Sequence, residues 1–378
     1  MGQIRIVPLR GKAGLSDFFA AARRSQAENP MWVEPEHDEI RALFDPRRTP
    51  FSRNGDLQAF VAYRGNEPVG RIAALVNQDH LAKYNDACGH FGFLDGVDDP
   101  EVFAALFREA ESFLRARGMQ TARGPFSLTI NQESGLLVDG FDQPHVIGTN
   151  HSPPYYAVLV EALGYSKAID LFAFTCRVAE ARGVDRVAEQ AKRRKPAEFE
   201  TYSLSYGSWS RDMSRIIDIY NDAWSDNLWS TSIGAEEAAM ISRMMLPVCK
   251  PSWIRIARYR GEDIALMAQI PDVNVALKGL GGRMLPFGFL KALWRIHVRG
   301  VRRTRVAMAG VARKWRDKQL SIFAAGKLMA LVIEDARKAG VEEVELSWIL
   351  ETNHSAINAV SHLPARRTRT FRIYEKAL

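Results

Sequence analysis

The 378-residue chain carries one structural plan twice, and a tandem repeat constrains architecture before any single motif does. Phe60 to Leu75 reads as an apolar strand, a charged turn at Arg64-Gly65-Asn66-Glu67-Pro68 and a second strand, and Trp253 to Ile270 repeats that plan around Arg260-Gly261-Glu262-Asp263. Tyr63-Arg64-Gly65 and Tyr259-Arg260-Gly261 are offset by 196 residues, and Trp32 and Trp229 by 197, which predicts equivalent places for them. Each half then runs strand, amphipathic helix, glycine, strand. Cys88 to Leu94 leads to Asp98-Asp99-Pro100-Glu101, an acidic, proline-led helix start, and helical spacing continues from Val102 to Arg117. Thr304 to Ala312 leads to a helix over Ser321 to Lys338, ended by Gly340 and followed by the alternating strand Val344 to Leu350. Gly118 and Gly340 differ by 222, so the second half holds about 26 extra residues between hairpin and helix. Thr149-Asn150-His151-Ser152 recurs as Thr352-Asn353-His354-Ser355, each time before a helix.

These patterns predict an α/β (α+β) chain of two tandem domains, each a mixed, largely antiparallel sheet flanked by helices. The expected divisions are 1–180, a linker at 181–200 and 201–378. Val178 to Ala197 is charged and ends in a basic run before a proline, which reads either as a solvated connector or as a binding arm.

Lysine and arginine, 51 together, exceed aspartate and glutamate, 44, by seven, a surface suited to phosphates, CoA, anionic lipid or nucleic acid. Nucleic acid is disfavoured because the basic residues are dispersed and neither a recognition helix nor an aromatic RNA-binding strand is present. Cys88, Cys176 and Cys249 form no Cys-x-x-Cys pair, which argues against a disulfide framework or structural zinc and for a reducing cytoplasm. The eight histidines are scattered, so no metal is expected and chelators should leave activity untouched. Met1 to Leu15 lacks a secretory apolar run and no 18 uninterrupted apolar residues occur, so the protein is expected to be cytoplasmic, either free or peripheral on the inner membrane.

Walker-type phosphate loops, Gly-x-Gly-x-x-Gly, His-Glu-x-x-His and Gly-x-Ser-x-Gly are all absent, which removes support for an NTPase, a dehydrogenase, a zinc protease and a serine hydrolase. What remains is the strand-to-helix junction Val311-Ala312-Arg313-Lys314-Trp315-Arg316-Asp317-Lys318-Gln319-Leu320. A helix start offers free N–H groups and a positive dipole end, so Val311, Arg313, Arg316, Lys318, Gln319 and Leu320 are candidates for holding a pyrophosphate; a solvated basic turn is the alternative.

With these elements in order, the second half resembles the GNAT superfamily of acyl-CoA-dependent N-acyltransferases. In that family the junction reads Arg/Gln-x-x-Gly-x-Gly/Ala and its amides bind the CoA pyrophosphate; here Arg316-Asp317-Lys318-Gln319 stands at its core without the glycines. The first half resembles the same fold without a cofactor loop, because its helix opens on Asp98-Asp99-Pro100-Glu101. The run Gly124 to Asp142, Pro153-Pro154-Tyr155-Tyr156, Leu285-Pro286-Phe287-Gly288, Ser347 to Glu351 and Arg372 to Lys376 resembles a bacterial family of two-domain GNAT-like proteins, similar to the bacterial ceramide synthases. The resemblance implies transfer of an acyl group from acyl-CoA, as substrate, to the amine of a sphingoid base. A small soluble amine as acceptor and a catalytically inactive lipid-binding protein are the alternatives.

N-acyl transfer needs a base to take a proton from the attacking nitrogen and a donor to help the thiolate leave. Glu351, at a strand end, is the expected base and Tyr374 the donor, while Glu133 and Asn131 on a glycine-bounded loop would orient the amine. Asn131 reads equally as a turn former, and Glu133 as a cap or a salt-bridge partner. Tyr155, Tyr156 and Asn353 are expected to contact substrate, with a core role for the tyrosines as the alternative. His151 and His354 are read as loop or capping residues. Leu285 to Arg303 places Phe287, Leu290 and Trp294 on one helical face and Lys291, Arg295 and Arg299 on another, which suits either an anionic membrane surface or packing over the sheet.

Overall fold

A computed structural model describes residues 2–10, 14–45, 47, 55–184, 196–284, 286–316 and 318–378. The first half runs β1 (Ile4–Pro8), α1 (Leu15–Ser25), α2 (His37–Leu43), β2 (Gly55–Arg64), β3 (Glu67–Asn77), α3 (Gln78–Tyr84), β4 (Cys88–Gly96), α4 (Pro100–Arg115), β5 (Thr121–Gly124), β6 (Leu136–Asp139), α5 (Tyr155–Ala162) and β7 (Ser166–Arg177). The second runs β8 (Phe199–Ser203), α6 (Trp209–Trp224), α7 (Ala235–Met245), β9 (Ile254–Tyr259), β10 (Glu262–Pro271), α8 (Asn274–Leu277), α9 (Gly288–His297), β11 (Arg303–Val311), α10 (Gln319–Lys338), β12 (Glu343–Leu350), α11 (His354–Ser361) and β13 (Ala365–Ala377). Helix α9 lies within the extra residues of the second half. Most of the expected linker, 185–195, lies outside the described residues, as do Leu285 and Asp317.

The local signals act as their chemistry requires. Asp99 caps α4 by accepting from the Glu101 N–H, Pro100 fills the first turn, and Gly118 ends the segment at φ +78°. The helix buries Val102, Phe103, Leu106, Phe107, Ala110 and Leu114 on one side of the sheet, while α1 buries Phe18, Phe19, Ala21 and Ala22 on the other. In the second half α10 and α6 take those two places. One detail differs from the repeat read in the sequence. In the first hairpin Gly65 is the first turn residue, whereas in the second the turn is Arg260-Gly261, both at positive φ, so the two Tyr-Arg-Gly motifs sit one residue out of step.

Among the described residues thirteen strands form one sheet in the order β1-β2-β3-β4-β5-β13-β7-β12-β11-β10-β9-β8, with β6 also on β13. The closing strands are exchanged. β7, from the first half, pairs with β12; β13, from the second, pairs with β5; and the two pair with each other at the centre. Each half therefore completes the other's sheet edge, so the halves share one continuous hydrogen-bonded layer.

Two parallel pairs open this layer. β4 and β5 pair only over Cys88–His90 against Thr121–Arg123, and β11 and β12 only over Arg303–Val306 against Glu343–Leu346. Beyond those pairs the strands separate into two wedges. In the first, the chain after β5 folds back so tightly that a Cβ on Gly92 would lie 1.7 Å from the Phe126 carbonyl oxygen, which only glycine permits.

Candidate active site

The first wedge opens into a cleft whose walls include Ile40, Arg71, Asp95, Glu133, His151 and, from the second half, Asn274. Its polar wall is cross-linked by hydrogen bonds and an ion pair. Arg71 and Asp95, opposite each other on β3 and β4, form an ion pair of 2.7 Å with both side chains buried. Asp95 Oδ1 also accepts from Gln26 Nε2 at 3.0 Å and from the Tyr156 hydroxyl at 3.1 Å. His145 accepts from the Val33 N–H at Nε2 and donates from Nδ1 to the Thr149 carbonyl, and burial pushes its pKa down to about 3. His151 accepts from Asn29 at Nδ1 and donates from Nε2 to the Phe141 carbonyl, and burial lowers it to about 4. Both imidazoles are neutral with both nitrogens engaged, so they hold the wall and do not act as bases.

Glu133 is different. Its side chain makes no hydrogen bond or ion pair with the described residues, it lines the cleft, and burial pushes its pKa up to about 7. The charge of Glu39 on α2 raises it further, and Arg71 opposes the shift. A carboxylate with a free coordination sphere and a pKa near neutrality has the properties of a general base. The cleft also contains two buried polar atoms without partners, Asn150 Oδ1 and Ser152 Oγ, available to a ligand.

The other expected site residues lie apart from this cleft. Glu351 accepts from Lys167 Nζ at 2.7 Å and from the Asp170 N–H at 3.1 Å, so its lone pairs are already engaged in a half-exposed ion pair on the β7 side of β12. Tyr374 is fully buried in the first-half core and donates to Glu161 Oε1 at 2.8 Å; burial raises its pKa, with Glu161 adding to the shift. Neither lines the cleft with Glu133. Tyr155 and Tyr156 are packed in the same core, and their hydroxyls serve Gly96 and Asp95, so they brace the wall from behind. Asn131 donates to the Thr231 carbonyl and accepts from the Tyr220 hydroxyl, which ties the Glu133 loop to the second half. Asn353 caps α11 by accepting from the Ala356 N–H, whereas its counterpart Asn150 donates to Gly135 across the cleft loop.

The strand-to-helix junction of the second half is largely neutralised from within. Asp222, near the end of α6, accepts from both the backbone N–H and the side chain of Arg313. Arg316 pairs with Asp226 and donates to the Ala223 carbonyl, and Lys314 pairs with Glu262. The sequence shows these cations but not the acidic helix end that folds onto them. Lys318, its ammonium over the Trp315 ring at 4.7 Å, and Gln319 remain exposed at the helix start, with Leu320 half-buried and Val311 closing β11.

Sequence reasoning missed two features. Among the described residues the scattered histidines do assemble a potential ligand set, contrary to expectation: His80, Cys88 and His90 bring ligand atoms within 4.8 Å of one another, all three buried. The signal was available, since Cys88 and His90 alternate on β4 and therefore share a face. The second is the position of Arg295 on α9, a helix that buries Ala292 and Ile296 and leaves Phe287, Leu290, Trp294 and Val298 between 55% and 74% exposed, the row that the sequence left open between a membrane surface and packing over the sheet. Arg295, expected to face out, donates to the Ala276 and Lys278 carbonyls; Lys291 and Arg299 are exposed. Among the described residues no helix is long and apolar enough to cross a membrane.

No family model matches the chain. Two relatives match almost end to end: "Bacterial ceramide synthase" of Caulobacter vibrioides is 34% identical over 99% of this chain and 98% of its own, and "Protein YghO" of Escherichia coli is 32% identical over 97% and 94%. Among solved structures, a tandem GNAT protein from the clavulanic acid biosynthesis pathway superposes with a TM-score of 0.58 at 12% identity, covering 99% of this chain and 98% of that one. This likeness fixes the fold as two GNAT-like domains in tandem.

Proposed function

The chain belongs to the family of the bacterial ceramide synthase and is an acyl-CoA-dependent N-acyltransferase, and from that premise we propose that it acylates the amine of a long-chain sphingoid base in the first-half cleft, with Glu133 as general base. The observation that carries this reading is the unpartnered Glu133 carboxyl, poised near neutrality in a cleft with an apolar as well as a polar wall.

The chemistry then follows. Glu133, as carboxylate, takes a proton from the acceptor nitrogen, directly or through one water, as that nitrogen attacks the thioester carbon. The carbon–sulfur bond breaks as the tetrahedral intermediate collapses, and the protonated Glu133 returns its proton to the departing CoA thiolate. One amide and one free thiol result, with no net change at the carboxyl. Ser152 Oγ would donate to the developing oxyanion and Asn150 Oδ1 would accept from the amine, which satisfies two atoms otherwise buried without partners. For the acyl donor, the exposed Lys318 and the first turn of α10 are assigned to the pyrophosphate, while Arg313 and Arg316 hold the junction through Asp222 and Asp226.

The acceptor class is supported by the relative's name and by α9, whose exposed Phe287, Leu290, Trp294 and Val298 lie beside the exposed Lys291 and Arg299. An apolar row beside cations favours an anionic membrane surface, where a long-chain amine resides. The test is mass spectrometry of products formed from palmitoyl-CoA with sphinganine and, separately, with small soluble amines. Preferential N-acylation of sphinganine supports the proposal; equal or better transfer to small amines refutes the lipid acceptor.

A further inference from the structure

Outside the cleft, at the point where β4 parts from β5, His80 of α3 faces Cys88 and His90 of β4. The three are 1%, 0% and 4% exposed, and their ligand atoms fall within 4.8 Å of one another. His90 is the unusual member: both ring nitrogens are buried and neither has a hydrogen-bond partner. An orphaned imidazole costs free energy unless something fills its lone pair. His80 is oriented by Asp86, whose carboxylate oxygens lie 3.1 and 3.2 Å from its Nε2, and Asp86 is in turn fixed by Arg123 at 3.2 Å and by the Cys88 N–H at 3.2 Å. A carboxylate behind a histidine is the outer arrangement that aligns ligating imidazoles. A small void beside the set is bounded by Phe126, Thr129 and Trp229, with His80 and His90 on its inner wall.

We propose that His80, Cys88 and His90 bind one zinc ion, with a water in the adjoining void as the fourth ligand. Two imidazoles and a sulfur suit a borderline-soft, tetrahedral cation, and oxygen-seeking magnesium or calcium is excluded by the donor set. Ligands of one tetrahedral zinc sit roughly 3.3–3.7 Å apart, from metal–nitrogen and metal–sulfur bonds of about 2.0–2.3 Å, so the set tightens by about an ångström on binding. Cys88 binds as thiolate, and the ion displaces its proton. With two neutral imidazoles the filled centre carries one positive charge, which faces the Asp86 carboxylate. The ion would join α3 to β4 at the root of the wedge, so its role is to brace the frame that carries Asp95.

The full chain, purified without chelators from zinc-supplemented cells, should contain about one equivalent of zinc by elemental mass spectrometry. After stripping, titration with Co²⁺ should give a near-ultraviolet thiolate-to-cobalt charge-transfer band, absent in Cys88→Ser, and strong tetrahedral visible bands that weaken in His90→Gln. Far-ultraviolet circular dichroism checks that each form is folded, and because the unmutated chain reports zinc content and cobalt bands by itself, a variant that fails to fold does not remove the test. A folded unmutated chain that holds no zinc and develops no cobalt band overturns the proposal. So does a charge-transfer band that persists in folded Cys88→Ser.

Discussion

Arg71 and Asp95 face each other across β3 and β4, and their 2.7 Å ion pair is buried in the wall of the cleft that holds Glu133. Asp95 also receives Gln26 and Tyr156, so three residues from three segments meet at one carboxylate. Removing one partner leaves an uncompensated charge inside the protein, a loss of about 3–5 kcal/mol. Asp95→Ala is therefore expected to lower the midpoint of urea unfolding strongly, whereas Arg71→Met with Asp95→Leu should lower it less than the single change. A single-variant loss below about 1 kcal/mol would show that the pair does not hold the wall.

The junction before α10 gives an asymmetric expectation. Arg313 and Arg316 are occupied by Asp222 and Asp226 in exposed, solvent-screened pairs, so Arg313→Gln should change stability little and leave the KM for acyl-CoA near its original value. Lys318→Glu places a negative charge at the open helix start and should raise that KM several-fold with kcat preserved. Steady-state kinetics at fixed acceptor distinguishes them; an effect of Arg313→Gln larger than that of Lys318→Glu would relocate the pyrophosphate contact.

On α9, Leu290 and Trp294 are 62% and 55% exposed, so replacing both with Ser should leave the thermal midpoint within about a degree while reducing co-sedimentation with phosphatidylglycerol vesicles. Lys291→Gln with Arg299→Gln should weaken the same binding most at low salt. Arg295 is a poor choice for that experiment, since its guanidinium caps two carbonyls and its loss would disturb α9 itself. Vesicle binding unchanged in both variants would remove the membrane role from this helix.

Much of the element order is legible in the sequence because it is written locally. Asp99 and Pro100 start α4, Gly118 and Gly340 end helical segments, and the hairpin turns carry glycine where φ is positive. The exchange of β7 and β13 is not legible: nothing within Ser166–Arg177 or Ala365–Ala377 specifies which edge each strand will meet, and that choice is made by the other half. The site divides along the same line. Glu351 and Glu133 are both carboxylates in plausible places, but only the tertiary structure reveals that Lys167 has occupied one and that no described residue pairs with the other. Likewise the cations before α10 are visible in sequence, while the Asp222 and Asp226 that cancel them lie about 90 residues earlier. His80, Cys88 and His90 sit within eleven consecutive residues, and alternation along a strand would have placed two of them together.

The central claim is that Glu133 takes the proton. Its pKa near 7, raised by burial and by Glu39, predicts that kcat rises with pH through an acid limb near pH 7, since the carboxyl must be ionised to act. The decisive measurement is the pH dependence of kcat for acyl transfer from palmitoyl-CoA in the unmutated chain and in Glu133→Gln, with KM followed alongside. The account predicts a fall in kcat of about 10²–10⁴-fold, a KM changed little, and loss of the limb near pH 7. A Glu133→Gln enzyme that retains both the rate and the limb would contradict it.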